Sequence, residues 1–323
     1  MSSDVLELLR AAGGYISGEK MAERLGVTRA AVWKKIAALR DAGYDISSAP
    51  RSGYVLRSSP DRLIETEITR GLATRLIGQK VICYDAVNST NLVLKDLARA
   101  GAEDGTVVVA DSQGTGRGRM ERAFFSPPGK GIWVSILLRP TFLPQDAPKC
   151  TLMAAVAVAR AMEKFGLRAA IKWPNDIMYD GRKLVGILTE MSAEMDRVNY
   201  VVIGIGINVN IASEDFPEEL RPIATSLMQM KGEPLPRVAF LQELLRALDA
   251  LYACAQQEGF APVLAAWREY AVTLGQQVRV IGPAGESFEG MAADIDAEGA
   301  LLIDTSTGRR RVLAGDVSIR PKK

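Results

Sequence analysis

The stretch GTGRGRMERAFFSPPGKG at residues 114–131 limits the folds open to this chain more than any other. It follows the apolar run DGTVVVADSQ, which predicts a strand leading directly into it. A dinucleotide-binding loop requires G-x-G-x-x-G at the start of a helix, whereas this spacing is G-x-G-x-G and the following AFFSPPGKG cannot open a helix. A P-loop is also excluded, because Gly129-Lys130 lacks a glycine five residues earlier and precedes Gly131 instead of Ser or Thr.

The glycines and arginines of this stretch still predict an anion site. Gly114, Gly116 and Gly118 allow close approach of the backbone or a positive φ. Arg117 and Arg119 offer planar guanidinium groups to a carboxylate or a phosphate. Each charge-assisted hydrogen bond contributes about 1.5–3 kcal/mol, so two arginines can hold two oxyanions side by side. For this stretch alone, the alternative is a flexible basic loop.

Composition removes several classes of function. The chain has 323 residues and no histidine, which predicts two or three domains and excludes Ser-His-Asp hydrolysis and His-ligated metals. The three cysteines, Cys83, Cys150 and Cys254, lie far apart in sequence, so we expect neither a disulfide framework nor a zinc site. We expect a cytoplasmic location, where thiols stay reduced. MSSDVLELLR is not a signal peptide, and the apolar run at 151–159 is too short to cross a bilayer, so we expect no membrane partner.

The first sixty residues predict a winged helix-turn-helix. SGEKMAERLGVTRAAVWKKIAALRDAGYDI contains two helices, with Ser17 and Thr28 as N-caps and Gly26 in the turn, and APRSGYVL predicts the wing. Between Arg24 and Arg57 there are seven basic residues and two acidic ones, a local excess of +5 that favours phosphate contacts. The residues expected to bind DNA are Thr28, Arg29, Trp33, Lys34 and Lys35. The alternatives are a charged, solvated helical hairpin and a protein-binding winged helix.

Two strand patterns follow in the middle of the chain. AAIKWPNDIMYDGRKLVGILTEM predicts a strand broken at its Trp-Pro pair, a hairpin turn at Asp-Gly, and a second strand led by Lys183. YVVIGIGINVN predicts a buried strand that contains Gly204 and Gly206. Glycines inside a strand indicate close approach of a ligand or another backbone. For Lys183 alone, the alternative is a surface lysine at a strand end.

Five motifs together make the chain resemble the biotin protein ligases. They are STN (89–91), GRGR (116–119), KWPND (172–176), GRKLVGIL (181–188) and GIGINV (204–209), in the family's order and spacing. The added helix-turn-helix resembles that of the bifunctional subgroup. The resemblance implies an α+β fold: a winged helix-turn-helix at 1–62, a central mixed-sheet, class II synthetase-like catalytic domain at 63–272, and a small SH3-like β-barrel at 273–323. The residues alone predict only a small all-β module at the C-terminal end.

The resemblance also implies an activity. In the family, biotin and ATP form biotinyl-5′-adenylate, with Mg²⁺ as metal, and biotin passes to a lysine of the biotin carboxyl carrier protein, a subunit of acetyl-CoA carboxylase. The adenylate-bound protein forms a homodimer that binds operator DNA and represses the biotin operon. Such chemistry needs alignment of a carboxylate with a phosphate and stabilisation of negative charge, and histidine is not required.

The family's motifs place roles on particular residues of this chain. The resemblance implies that the catalytic residues are Lys183, Arg117 and Arg119. Biotin would contact Ser89, Thr90, Asn91, Gln113, Arg117, Lys183 and Gly186. ATP and the adenylate would contact Arg119, Phe124, Lys172, Asn175, Asp176 and Asn208, with Asp176 also as metal ligand. The chain departs from the family where GRGR is usually followed by x-G-R-x-W, because it has Glu121 and Phe124 there.

Other interpretations remain open at this point. One is a ligase that has lost regulation; another is a ligand-sensing transcription factor without catalysis, against which Lys183, Arg117 and Arg119 argue. A lipoate-type ligase would share the architecture but would not need Ser89 and Gln113 for a ureido ring. The acidic, proline-interrupted segment 210–227 is expected to be a mobile loop over the adenylate, and 237–271 predicts two amphipathic helices.

Overall fold

The computed structural model describes residues 3–116, 123–282, 286–314 and 318–321. The chain divides into two compact units, Met1–Arg62 and Leu63–Lys323. The expected division into three domains, with boundaries after residues 62 and 272, stays a prediction. Predicted residues Arg117 and Arg119, and the family departure at Glu121, lie outside the described residues.

The first unit contains three helices and a two-stranded hairpin. These are α1 (Ser3–Ala12), α2 (Gly18–Leu25), α3 (Arg29–Asp41), β1 (Asp45–Ala49) and β2 (Gly53–Ser58). The Ser17 hydroxyl accepts a hydrogen bond from the backbone N–H of Lys20 at 3.1 Å, and that of Thr28 from Ala31 at 3.2 Å. Both predicted N-caps are therefore confirmed. Gly26 ends α2 with φ 63°, and the helix-turn-helix with its hairpin is confirmed.

The helix-turn-helix has an apolar core of its own. Val32 and Ile36 on α3 are completely buried, as are Val5 on α1 and Met21 on α2. Residues four apart lie on one side of a helix, so Val32 and Ile36 fix which side of α3 faces the core. The polar residues between them are left to face solvent.

The second unit is built on a seven-stranded mixed sheet. Its strands are β3 (Val81–Val87), β4 (Val107–Gln113), β5 (Gly131–Leu138), β6 (Ala170–Lys172), β7 (Asp176–Tyr179), β8 (Arg182–Ala193) and β9 (Val198–Asn208). Their order is β3-β4-β5-β9-β8-β7-β6, with β3 and β4 parallel and the other neighbours antiparallel. The predicted turn between β7 and β8 is confirmed: Asp180 and Gly181 have φ of 52° and 74°, as a two-residue hairpin requires.

Helices cover this sheet and form the main core with it. They are α4 (Glu65–Thr69), α5 (Thr90–Arg99), α6 (Lys149–Lys164), α7 (Leu227–Lys231), α8 (Arg237–Glu258) and α9 (Ala261–Tyr270), and short 3₁₀ turns lie at Pro144–Asp146 and Ser213–Asp215. The predicted pair of C-terminal helices is confirmed as α8 and α9. In the described part of the chain, no helix combines the length and the apolar character that crossing a membrane requires.

One polar face of α8 holds the first residues of the second unit. The Asp249 carboxylate accepts hydrogen bonds from the backbone N–H groups of residues 75–77 at 2.8–3.0 Å. Gln242 and Arg246 donate to backbone carbonyls of residues 67–72. Residues 242, 246 and 249 are four and three positions apart, so their side chains lie on one face of α8. This face fixes the path of residues 67–77.

The C-terminal strands form a five-stranded antiparallel sheet. They are β10 (Gln277–Ile281), β11 (Ser287–Ile295), β12 (Leu301–Thr305), β13 (Gly308–Val312) and β14 (Ser318–Pro321), in the order β13-β12-β11-β10-β14. Val278, Leu301 and Ile303 of this sheet belong to the same buried cluster as the core of the central sheet. The expected all-β module is confirmed, and it shares its core with the central sheet. Arg309 and Arg311 of β13 pair with acidic side chains, Arg309 with Asp304 at 2.7 Å.

Candidate functional site

The first part of the candidate site lies where β4 ends beside the start of α5, and we call it the Gln113 corner. The Gln113 side-chain oxygen accepts hydrogen bonds from the Thr90 backbone N–H at 2.9 Å and the Thr90 hydroxyl at 3.2 Å. The Gln113 amide nitrogen donates to the Ser126 hydroxyl at 3.1 Å. Ser89 is 2 % exposed and begins α5 without a side-chain capping bond. These contacts fix the amide orientation, and the Ser89 hydroxyl is not used to cap the helix.

Asn91 binds α5 to the sheet below this corner. Its side-chain oxygen accepts a hydrogen bond from Ser135 at 2.6 Å, and its amide nitrogen donates to Glu190 at 2.9 Å and to the Leu188 carbonyl at 3.3 Å. Its side-chain oxygen lies 2.2 Å from where a Cβ on Gly204 would be. Gly204 therefore makes room for Asn91.

Two glycines face each other on neighbouring strands, and we call the surface formed by Gly186 and Gly206 the glycine floor. Gly186 of β8 and Gly206 of β9 are register partners, and the Phe124 ring lies 2.8 Å from the position of a Cβ on either one. Phe124 also meets Trp133 edge-on, with ring centroids 5.9 Å apart. The two glycines thus leave the space that the Phe124 ring fills, and a Cβ on either one would clash with that ring.

Lys183 lies beside this aromatic ring. Its ammonium nitrogen is 5.7 Å from the Phe124 ring centroid and 3.1 Å from the position of a Cβ on Gly186. It also lies 2.7 Å from Oδ1 of Asp176. That oxygen is inaccessible to solvent and makes no directed hydrogen bond, so the ammonium charge of Lys183 compensates it. A cation is thereby held at the edge of the glycine floor.

The other predicted nucleotide residues that the structure describes are Asn175, Asn208 and Lys172. Asn175 is buried, and its amide nitrogen donates to the Ile187 carbonyl at 2.9 Å. Asn208 is also buried and donates to the Thr225 carbonyl at 2.9 Å. Lys172 on β6 is the register partner of Asp176 on β7. The fold therefore brings these four residues to the same end of β6–β9 as Lys183, while Arg117 and Arg119 lie outside the described residues.

A loop that follows β9 covers one side of the site. Lys130 forms a short contact with Asp215, which lowers the pKa of the Asp215 carboxyl chiefly through this hydrogen bond. Phe216 and Ile211 pack in one apolar cluster with Trp133, against which Phe124 also lies. The loop is thus attached by one ion pair and by aromatic contacts. The expectation that segment 210–227 is mobile stays a prediction.

Sequence reasoning missed a buried ion pair behind the site. Arg237, the first residue of α8, is 4 % exposed and donates to Asp111 at 3.1 Å and to the Gly131 carbonyl at 3.2 Å. The Asp111 carbonyl in turn accepts the Trp133 indole N–H at 3.1 Å. Arg237 and Asp111 lie 126 residues apart, and a single arginine after two prolines gives no signal of burial. Their contact holds the start of α8 against the end of β4.

The described residues contain no group of three or more acidic, cysteine or histidine side chains that would form a metal centre by themselves. Mg²⁺ commonly binds through one or two carboxylates together with phosphate oxygens of a substrate. Asp176 is a single carboxylate of that kind, and its Oδ1 atom is buried 2.7 Å from the Lys183 ammonium. A cation bound by this carboxylate would take further ligands from the phosphate oxygens of a substrate.

The predicted DNA-binding residues lie on α3 in the first unit. Trp33 is 59 % exposed, although it is a large aromatic residue. Arg29 and Lys34 are exposed, Lys35 is half-buried, and Thr28 is the exposed N-cap. An exposed aromatic ring among exposed cations is typical of a surface that binds a partner.

Comparison with known proteins gives three family matches along the chain. Residues 2–55 match the HTH domain, residues 83–208 match the Biotin/lipoate A/B protein ligase family, and residues 273–320 match the Biotin protein ligase C terminal domain. A protein of Bacillus spizizenii named bifunctional ligase/repressor BirA is 45 % identical over 99 % of this chain and 98 % of its own length. The Escherichia coli protein of the same name is 33 % identical, over 97 % and 95 %.

Solved structures are similar as well. The biotin protein ligase from Aquifex aeolicus, in complex with biotin and ATP, has a TM-score of 0.67 and 28 % identity. The match covers 76 % of this chain and 100 % of that one. About three quarters of this chain thus has a counterpart in a solved structure.

Proposed function

Since this chain belongs to the biotin protein ligase family, we propose that it forms biotinyl-5′-adenylate from biotin and ATP and transfers biotin to a lysine of the biotin carboxyl carrier protein. Its N-terminal helix-turn-helix makes it bifunctional, a ligase and a repressor of the biotin operon. The observation that carries the proposal is the placement of Lys183 and Phe124 over the Gly186–Gly206 floor, next to the Gln113 corner. A cytoplasmic location stays an expectation.

The two halves of the site suit the two substrates. Ser89 and Gln113 offer a hydroxyl and an oriented amide to the ureido ring of biotin. Phe124 would stack on the adenylate beside the glycine floor, with Asn175 and Asn208 at its rim. Thr90 and Asn91 support the biotin end by holding α5 to β4 and to the sheet. These assignments are proposals.

Adenylation requires that two anions meet. A carboxylate oxygen of biotin attacks the α-phosphorus of ATP, and the bond to pyrophosphate breaks. Lys183 would bridge the carboxylate and the phosphate, offsetting their repulsion and the charge that develops in the transition state. Arg117 and Arg119 would add two guanidinium groups from the glycine-rich stretch. Mg²⁺ bound with ATP supplies further charge neutralisation, and Asp176 would hold it.

Transfer requires less of the protein. The adenylate is a mixed anhydride, so the carrier lysine attacks its acyl carbon and AMP leaves without an enzyme nucleophile. Positioning of the two reactants therefore supplies most of the acceleration. The absence of histidine from the chain is compatible with both steps.

The ligase activity is tested by incubating the chain with biotin, Mg-ATP and an apo carrier domain, and by measuring the mass of the carrier. We expect a biotin-sized gain on one lysine. Lys183→Met should reduce biotin-dependent pyrophosphate release by about 10²–10³-fold, the usual effect of removing one charge-stabilising donor. Lys80→Met, an exposed lysine at the start of β3, is the control. A wild-type chain that binds biotin without modifying the carrier would instead indicate a ligand sensor.

The repressor activity is tested by binding to operator DNA with and without biotin and ATP. Removal of one phosphate contact lowers the slope of log K against log salt by about one. We expect that change for Lys34→Ala, and no change for Lys164→Ala, which removes an exposed lysine at the end of α6. Equal slopes for all three proteins would contradict the assignment of α3.

Homodimer formation in the adenylate-bound state is part of the proposal. β7 pairs with β8 only as far as Gly186, so the outer half of β8 has no strand on that side among the described residues. Met191 in this half is 50 % exposed, and Met195 just beyond it is fully exposed. An exposed strand edge with apolar side chains is a template for pairing with a second chain, and it would also suit the carrier protein.

This surface is tested by sedimentation equilibrium with biotin and ATP present. Met191→Glu should weaken self-association at least tenfold, because a carboxylate would be buried in the interface. Leu143→Glu, at a residue 51 % exposed elsewhere on the unit, is the matched control. Unchanged association of Met191→Glu would remove β8 from the interface.

A further inference from the structure

Trp173 links the nucleotide motif to the C-terminal part of the chain. It is 2 % exposed and lies in the middle of KWPND. Its backbone N–H donates to the Thr273 hydroxyl at 2.9 Å. Its indole N–H donates to the Gly299 carbonyl at 3.1 Å. Both N–H groups of this residue are therefore bound by residues about 100 or more positions later in the chain.

The segment that contains Thr273 is itself fixed to the sheet. Ala271 forms a parallel bridge with Ile171, and the Val272 N–H donates to the Ile171 carbonyl at 2.9 Å. Residues 271–273 thus run beside β6, the last strand of the sheet, just before the C-terminal module begins. Thr273 is 5 % exposed, so its hydroxyl oxygen accepts the Trp173 N–H away from solvent.

The turn that contains Gly299 is equally constrained. The Asp296 carboxylate accepts hydrogen bonds from the backbone N–H groups of Glu298 and Ala300, both at 2.9 Å. Lys149, at the start of α6, donates to the Ala297 carbonyl at 3.2 Å. Gly299 has φ 77°, and an added Cβ would meet Leu152 at 2.8 Å. The carbonyl that receives the Trp173 indole is therefore held by contacts on both sides.

Trp173 stands directly before the residues that bear on the candidate site. Two positions later, Asn175 is bound to the carbonyl of Ile187 on β8. Asp176 follows and pairs with Lys183 at 2.7 Å. A displacement of Trp173 would move this short segment, and with it the Asn175 and Asp176 side chains proposed to serve the nucleotide.

We propose that Thr273 and the Gly299 carbonyl are positioning groups for adenylation, acting through Trp173 on Asn175 and Asp176, which are proposed to serve the nucleotide. The C-terminal module would thus determine the geometry of the ATP half of the site while leaving the biotin half at the Gln113 corner unaffected. The inference rests on the proposed ligase function. Neither Thr273 nor Gly299 touches the reacting atoms, so their loss should alter binding of ATP and not that of biotin.

The test uses the full chain and two steady-state quantities. The KM for ATP is measured by biotin-dependent ATP–pyrophosphate exchange, and the Kd for biotin by calorimetry without ATP. Thr273→Val keeps the shape of the side chain but removes the hydroxyl acceptor, and Trp173→Phe removes the indole donor. Each should raise the KM for ATP by about tenfold, since small misplacements in a site cost ten- to hundredfold. The Kd for biotin should stay within twofold of the wild-type value.

Two further variants distinguish positioning from general damage. Thr273→Ser restores the hydroxyl and should return the KM for ATP to within about twofold of wild type. Trp267→Phe is the matched control for Trp173→Phe, because its indole nitrogen is also buried but has no hydrogen-bond partner among the described residues. It should leave the KM for ATP unchanged.

A wild-type KM for ATP in both Thr273→Val and Trp173→Phe would overturn the inference, and so would a rise that Thr273→Ser does not reverse. A parallel rise in the Kd for biotin would indicate general destabilisation and would also overturn it. If the wild-type chain itself shows no biotin-dependent exchange, the ligase proposal fails. Hydrogen–deuterium exchange at residues 171–177 then decides the inference: faster exchange in Thr273→Val but not in Thr273→Ser supports the anchor, and equal exchange refutes it.

Discussion

Replacement of Gly204 by alanine should destabilise the second unit strongly. Gly204 lies within β9 between Ser135 on β5 and Leu188 on β8. A Cβ at this position would lie 2.2 Å from the Asn91 side-chain oxygen and 2.8 Å from its Cγ. Asn91 cannot simply turn away, because its oxygen and nitrogen are bound to Ser135, to the Leu188 carbonyl and to Glu190.

The expected magnitude has two parts. Forcing an extra methyl group into a packed core costs about 1–3 kcal/mol. Displacing Asn91 breaks at least one buried hydrogen bond, which costs a further 1–3 kcal/mol or so. The Gly204→Ala variant should therefore lose about 2–6 kcal/mol, a large share of the roughly 5–15 kcal/mol typical of a domain.

Gly206→Ala is the matched control, two residues along the same strand. Its Cβ would meet the ring of Phe124 at 2.8 Å, but that ring is half-buried and at the end of a flexible side chain. We expect a loss of stability of less than about 1 kcal/mol, since a half-buried ring can rotate away from the added methyl group. Its effect should fall on ATP binding.

Urea unfolding followed by tryptophan fluorescence measures these changes. Three of the four tryptophans, Trp133, Trp173 and Trp267, lie in the second unit, so the signal reports mainly on it. In the double variant with Asn91→Ala, the alanine at 204 should cost about 1–3 kcal/mol less than alone. A Gly204→Ala protein within about 0.5 kcal/mol of wild type, or no more unstable than Gly206→Ala, would refute the reasoning.

Three other predictions concern stability and reactivity. Asp249→Ala should lower the free energy of unfolding, measured in urea, by about 2–4 kcal/mol, because the N–H groups of residues 75–77 lose their acceptor. Asp249→Asn keeps one acceptor oxygen and should lower it by about half as much. Burial raises the pKa of Asp104 in the folded protein. The free energy of unfolding should therefore fall as the pH rises from about 4, the pKa in the unfolded chain, through the higher pKa of the folded protein. Urea unfolding at several pH values should show that Asp104→Asn removes this fall. Burial raises the pKa of Cys83 and of Cys150 to about 12. At pH 8, iodoacetamide should therefore alkylate these two thiols on the order of a thousandfold more slowly than it alkylates the thiol of free glutathione. Alkylation at the same rate as glutathione would contradict the raised pKa values.

Local features of the fold follow from the sequence because their causes are local. Ser17 and Thr28 cap their helices as the spacing of side-chain oxygens and helix starts predicts. The Asp180-Gly181 pair makes the predicted turn, because these two residue types tolerate positive φ. The glycines of β8 and β9 predict close approach of a ligand or another backbone, whereas the atoms nearest to them in the described residues belong to the side chains of Asn91 and Phe124.

What approaches those glycines does not follow from the sequence. Gly204 faces Asn91, which is 113 residues earlier by number, and nothing in either motif specifies this contact. Likewise Arg237 and Asp111 form a buried ion pair that no local pattern signals. Contacts between distant segments depend on sheet order and register, which a single sequence without structure leaves open.

The shared core of the central and C-terminal sheets bears on how such a chain changes over generations. Val278, Leu301 and Ile303 are buried with side chains of the central sheet, so an exchange of the last fifty residues would leave mismatched surfaces unless their partners changed as well. The helix-turn-helix buries Val32 and Ile36 against its own helices. Its core is thus built from residues of its own unit, whereas the two sheets of the second unit depend on one common core.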